Sequence, residues 1–216
     1  MSRTRIAATA FTAVLGLTAL TGCSSTDSED EAGKPLTKQF EQGEITQALP
    51  GAGEVLPRWE PYKGKRVTSE GQYCTKSEQK GASPKGWMRG GSAWFIYDGS
   101  TDNMMDIDIC QFDTPEDAKS AYTAWKGTES NKERAPKKPV GEESVFVMNP
   151  GLSENEIHGF IRSGTVNIRI TLQGAGEDTT GMQDMLAATL KRLQQVQDGK
   201  RATATAGDEA AKNANK

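Results

Sequence analysis

The chain has 216 residues, with 26 basic against 29 acidic side chains and a formal net charge of −3. That mild acidity excludes the basic stripe of a nucleic-acid binder, so no nucleic-acid partner is expected. The length suits one folded domain, and three cysteines, Cys23, Cys74 and Cys110, bear on the compartment.

Arg3 and Arg5 open the chain and are followed by an uncharged run from Ile6 to Leu20. A basic start, an apolar run and small residues at its end spell a secretory signal, here residues 1–22. The run is about 15 residues, short of the ~20 that a spanning helix needs. Its end, Leu20-Thr21-Gly22-Cys23, resembles the lipobox of bacterial lipoproteins. The resemblance implies cleavage before Cys23 and a diacylglyceryl group with palmitate-type chains on its sulfur. Two acyl chains anchor stably where one is marginal. The expected location is therefore the extracytoplasmic face of the cell membrane. Cleavage would also remove two positive charges and no acid, leaving a more acidic mature chain.

With Cys23 given to lipid, Cys74 and Cys110 remain. Outside the cytoplasm an even pair reads as a disulfide, worth roughly 4 kcal/mol for a loop of this length in the chain-entropy model. The alternatives are two free thiols or a metal pair, but neither cysteine has CxxC spacing. Residues 23–43 read as a lipidated, flexible tether. Its run Ser24-Ser25-Thr26-Asp27-Ser28-Glu29-Asp30-Glu31 buries too little apolar surface to fold.

Residues 44–199 read as the single globular domain. A short helix lies between Glu44 and Leu56, broken at Pro50-Gly51. Val67 to Cys74 suits an edge strand, and Ser92 to Tyr97 is an aromatic strand ended by Asp98-Gly99. From Met104 to Phe112 the sequence alternates. Met105, Ile107 and Ile109 point one way, and Asp106, Asp108 and Cys110 the other, so the disulfide should lie opposite the Ile107/Ile109 core.

Thr114-Pro115-Glu116-Asp117 opens a helix, with a capping threonine, Pro at the first helical position and acids in the first turn. Ala118, Ala121, Tyr122 and Trp125 form its buried face, and Gly127 should close it. Ser144 to Met148 is a strand. Ile157 to Arg162 and Val166 to Leu172 form a hairpin around Ser163-Gly164. A second helix starts at Thr180, with Gln183 placed for a capping box. Met182, Met185, Leu186, Leu190 and Leu193 give it a core face, and Asp198-Gly199 ends it. Residues 200–216 read as a disordered tail.

Phe95-Ile96-Tyr97-Asp98-Gly99 recurs in type as Phe160-Ile161-Arg162-Ser163-Gly164, each leading into a strand and a helix. The fold class is α+β: an antiparallel sheet with two amphipathic helices on one face, the recurrence being read either as a duplicated β-β-α unit or as convergent hairpin chemistry. From Trp87 to about Val196 the chain resembles actinobacterial secreted lipoproteins. It resembles, more distantly, the extracellular sensor domains of actinobacterial Ser/Thr kinases. The matching residues are Phe112-Asp113-Thr114-Pro115-Glu116-Asp117-Ala118, Val140-Gly141-Glu142-Glu143-Ser144-Val145 and Arg162-Ser163-Gly164-Thr165-Val166.

Candidate chemistry is sparse. Asp98, Asp102, Asp106 and Asp108 suit a hard cation, but their spacing fits no loop motif and reads as a solvated strand face. His158, the only histidine, would have to serve any Ser–His–acid triad, and no G-x-S-x-G elbow accompanies it. Glu142-Glu143 could serve a glycosidase. Gly174-Ala175-Gly176 before a helix lacks the lysine of a P-loop. The Lys132 to Lys138 run could touch anionic polymer or headgroups. Trp94 and Trp125 are expected in the core, and Trp59 and Trp87 nearer the surface.

No catalytic residue, metal or cofactor is expected. The function expected is a lipid-anchored, non-enzymatic domain that binds a partner protein or a cell-envelope component. One alternative is a carrier of a small apolar or amphiphilic ligand, lined by Met104, Met105, Met182 and Met185. Another is an envelope hydrolase.

Overall fold

A computed structural model of the chain describes residues 33–68, 74, 83–126, 132–150, 155–174 and 179–214. The signal, Cys23 and the acidic run of the tether lie outside these residues, as do Gly127 and residues 175–178.

The elements, in chain order, are α1 (Gln42–Ala48), β1 (Trp59–Thr68), β2 (Trp87–Tyr97), β3 (Ser100–Phe112), α2 (Pro115–Lys126) and β4 (Lys132–Arg134). They continue with β5 (Glu143–Pro150), β6 (Asn155–Ser163), β7 (Val166–Gln173), α3 (Thr180–Gln197) and α4 (Ala206–Ala214). The strands form one antiparallel sheet in the order β1-β2-β3-β7-β6-β5-β4. The α+β class read from the sequence is the one observed.

Alternation then sorts the sheet. Its first face carries Ala93, Phe95, Met105, Ile107, Ile109, Phe146, Ile157, Ile161, Ile168 and Ile170, packed with α1 and α3. The second face carries Cys110, Phe112, Val145, Val147 and Phe160, packed with Ala118, Ala121, Tyr122 and Trp125 of α2. The two predicted helices thus lie on opposite faces, not on one. A dyad normal to the sheet, between β3 and β7, would relate the hairpins β2-β3 and β6-β7 but would keep both helices on one side. The shared strand–strand–helix order is therefore not a simple rotational duplication.

Local chemistry explains the turns. Asp98 and Gly99 both have positive φ, 50° and 74°, as a two-residue hairpin of this twist requires. Gly164 has φ 55°, and a Cβ there would lie 1.8 Å from the Leu36 carbonyl oxygen. Thr114 caps α2 as expected, its hydroxyl accepting the Asp117 N–H at 3.1 Å. α3 begins at Thr180 as read, but its N-cap residue is Thr179, whose side chain makes no cap bond. Cys74 and Cys110 are bonded, with Cα atoms 5.9 Å apart, opposite Ile107 and Ile109 as read from the alternation.

Both ends of the domain extend further than the sequence suggests. In the stretch expected to be tether, Leu36 and Phe40 are fully buried. Thr165 N–H donates to Leu36 O at 3.0 Å, and Gln197 Oε1 accepts the Thr37 N–H at 2.7 Å. The expected disordered tail instead contains α4, because Ala202, Ala204 and Ala206 are small enough to pack closely and are buried. Arg192 ties this end down. Only 2% exposed, it donates to Ala48 O (2.8 Å), Gln47 O (3.0 Å) and Ala204 O (3.0 Å), and pairs with Glu54 at 3.0 Å.

Of the four methionines proposed for a carrier's lining, Met104 is only partly buried and the other three pack. Met105, Met182 and Met185 are buried in the core, and a Cβ on Gly159 would sit 2.7 Å from Met182 Sδ.

Two outcomes follow. Arg192→Leu should cost about 3 kcal/mol or more in a urea melt, since it strands buried carbonyls and Glu54; a loss below about 1 kcal/mol would contradict its role. Gly164→Ala should release the 33–40 segment, seen as new proteolytic cleavage there while the rest of the domain stays resistant.

Candidate functional site

The second face is half apolar and half polar. α2 covers the part built on Phe112, Cys110 and Phe160. Beyond it, one row across the sheet reads Trp94, Asp106, Thr171 and His158 on β2, β3, β7 and β6. The adjacent row reads Ser92, Asp108, Arg169 and Phe160. Parity alone brings these side chains together, since each is an even or odd partner of its neighbour in register.

Arg169 joins the two parts. Its guanidinium lies 4.8 Å from the Trp125 ring centre and donates to Asp108 Oδ2 through Nη2 at 2.8 Å and Nε at 3.2 Å. Asp108 is 4% exposed; burial pushes its carboxyl upward and the Arg169 guanidinium opposes that push. Asp106, one step along the same face, is half-buried and has no such guanidinium bonded to it. Its Oδ1 is shut off from solvent with no hydrogen-bond partner among the described residues. Burial, reinforced by the nearby Asp108 charge, raises its carboxyl from 3.8 to about 6.

On either side the row is polar and aromatic. Trp94 carries Arg66 over its ring at 4.5 Å and Lys63 at 5.0 Å. His158 is 5% exposed, with Nδ1 3.0 Å from Thr171 Oγ1, Nε2 3.4 Å from Glu156 Oε2, and its ring stacked on Phe160. The His158 side chain beside Glu156 holds that carboxyl below its ordinary range. The arrangement can accept a hydrogen bond or a positive charge at Asp106. His158 and Thr171 are too buried to meet a substrate in this conformation.

The other residues singled out in the sequence do not join this site. Asp98 sits in the β2-β3 turn, bonded to Arg58, and Asp102 is exposed at the far end of β3. Among the described residues no three His, Cys, Asp or Glu side chains are grouped to hold a metal. Glu142 and Glu143 clamp Arg162 at 3.1 and 2.9 Å, a structural task. Gly174 follows β7, and Ala175-Gly176 lie outside the described residues. Lys138 lies elsewhere, donating to Asn213 Oδ1 at 2.8 Å. Trp125 is core, as expected, but Trp94 is only partly buried, because its strand position faces the polar side of β3. Trp59 and Trp87 are likewise half-buried, Trp59 lying edge-on to Tyr97 at 5.3 Å. Arg169 and Thr171 are not among the residues the sequence singles out, because their place between β3 and β6 shows only in the register.

No family model and no curated protein matches the chain. Among solved structures it is similar to the extracellular domain of PknH from Mycobacterium tuberculosis, at 11% identity and a TM-score of 0.51. The match covers 73% of this chain and 98% of that one. At this identity the likeness is one of fold.

Because the folded state holds the Asp106 proton more tightly than the unfolded chain does, stability should fall as pH rises from about 4 to 6 and then level off. Asp106→Asn should therefore be more stable than wild type at pH 7.5 by about 1–3 kcal/mol. In thermal melts that gain should vanish near pH 4. A gain of equal size at both pH values would place its cause elsewhere.

Proposed function

We propose that this chain is a lipid-anchored, extracytoplasmic binding module that performs no reaction. It docks a partner protein or an envelope component against the polar row around Asp106. The anchor is the diacylglyceryl group on Cys23, which lies outside the described residues. The observation that carries the proposal is the half-buried Asp106 carboxyl, which lies beside the partly buried Trp94 with no guanidinium bonded to it. A carboxylate that raises the free energy of the fold, where an amide would not, suits a site completed by another molecule. The group that completes it carries a donor: an ammonium, a guanidinium or a hydroxyl.

Several features support this reading. The similar mycobacterial structure described above is itself an extracellular domain. Among the described residues no helix is long and apolar enough to cross a membrane. The side chains that a hydrolase would need are otherwise engaged: His158 with Thr171 and Glu156, and the Glu142-Glu143 pair with Arg162.

Native mass spectrometry on the chain, gently extracted from its own membrane, tests the proposal. Wild type should carry the acyl mass and a further adduct, and Asp106→Ala should lose the adduct while keeping the acyl mass. An adduct held equally by both forms, or acyl mass alone in both, would contradict the proposed site.

A further inference from the structure

At one end of the sheet four strands put two aromatic rings and two side-chain amides around a cleft. β1 starts there at Trp59, β2 ends at Tyr97, β3 passes through Asn103 soon after its start, and β7 ends at Gln173. With Gly174 these residues enclose about 280 Å³, near the lower end of the range for small-ligand sites. No lining residue carries a charge, and none belongs to the row of Asp106.

The two rings are fixed in place. Trp59 packs against the core and lies edge-on to Tyr97, with ring centres 5.3 Å and planes 60° apart. The Arg58 guanidinium lies 4.5 Å from the centre of the Tyr97 ring and is itself held by Asp98 Oδ1 at 2.8 Å. Asn103 is placed by an irregularity. The β2–β3 register jumps between Ile96, which pairs with Met104, and Tyr97, which pairs with Ser100. Thr101, Asp102 and Asn103 thus have no register partner in β2, and bulges of this kind re-aim side chains.

The polar atoms of the lining are open to a ligand. Among the described residues the Trp59 indole N–H, the Tyr97 hydroxyl and the Asn103 amide take part in no hydrogen bond, although all three residues are half-buried. Gln173 donates through Nε2 to Glu156 Oε1 at 3.2 Å, which leaves its own carbonyl oxygen as an acceptor.

We propose that this cleft binds a neutral saccharide. The faces of aromatic rings are electron-rich and attract the C–H groups of a pyranose. Sugar hydroxyls both donate and accept, as do the amides and the tyrosine hydroxyl that line the cleft. An ionic ligand would find no opposite charge in the lining and would lose its hydration without compensation. The 60° between the rings makes a corner and not a parallel slot, so a planar heterocycle could stack on only one of them. The site stands apart from the one proposed around Asp106 and does not depend on it.

NMR titration of the full chain, in a detergent without a sugar headgroup, tests the proposal. The probes are maltotriose, mannotriose and chitotriose, with adenosine as the planar comparison. Asn103→Ala and Tyr97→Phe each remove one polar group and keep both rings, so melting temperatures should match wild type. Asp106→Asn serves as the control at the other site.

At least one trisaccharide should bind, with Kd raised about fivefold or more by each cleft substitution and unchanged by Asp106→Asn. Binding of no trisaccharide, or of adenosine alone, would overturn the proposal. So would trisaccharide binding that survives both cleft substitutions. Loss in Asp106→Asn alone would move the saccharide to the polar row and equally overturn its assignment to this cleft.

Discussion

Arg192 holds together three segments that also share the core behind it. It is buried on α3, and its guanidinium reaches the last carbonyls of α1, the Ala204 carbonyl before α4 and the Glu54 carboxylate. A planar cation with five donors can serve several acceptors at once, and at the C-terminus of α1 it also meets the negative end of the helix. The charge is tolerated inside because its donors meet four carbonyls and one carboxylate. Remove it, and the segment leading into α4 loses its bond at Ala204.

The central strands β3 and β7 impose the second constraint. Their isoleucines all take one face and bind α1 and α3. Their polar residues must then take the other, whatever lies there. α2 covers part of that face, and Arg169 bridges the rest by stacking on Trp125 and neutralising Asp108. Asp106 is the residue left over. It is forced by the pleat into a half-buried row beside Trp94 without a guanidinium of its own. A sheet that needed only stability would carry a threonine or an asparagine there. The local conflict between pattern and burial is where function is to be sought.

Much of this was legible in the sequence, because local signals were strong. The alternation of Met105 to Phe112, the Thr114-Pro115 start of α2 and the Asp98-Gly99 turn each have a near-site physical cause, and each formed as read. The disulfide followed from arithmetic on three cysteines and lies on the face that the alternation assigned it. What failed was long-range. Which face a helix takes depends on its loop and on sheet twist, so the placement of α2 could not be had from its own amphipathicity. The alanine-rich end after Gly199 looked too weak to fold alone, and it holds because Gln195 and Arg192 bind its backbone. Trp94 was misplaced because aromatic residues in a strand read as core, while its neighbour in register is Asp106. The polar row escaped notice for the same reason: Arg169 and Thr171 signal only when β7 is known to lie beside β3.

The central claim is that the polar row at Asp106 is a docking surface and not a reaction site. The most direct measurement places a photo-crosslinking residue at Trp94 of the full chain and looks for covalent adducts in cells. The account predicts a discrete adduct from that position, greatly reduced when Asp106→Ala is added, with none from an equivalent probe at exposed Glu116 on α2. Adducts of equal yield with and without Asp106, or arising only from the α2 probe, would contradict it.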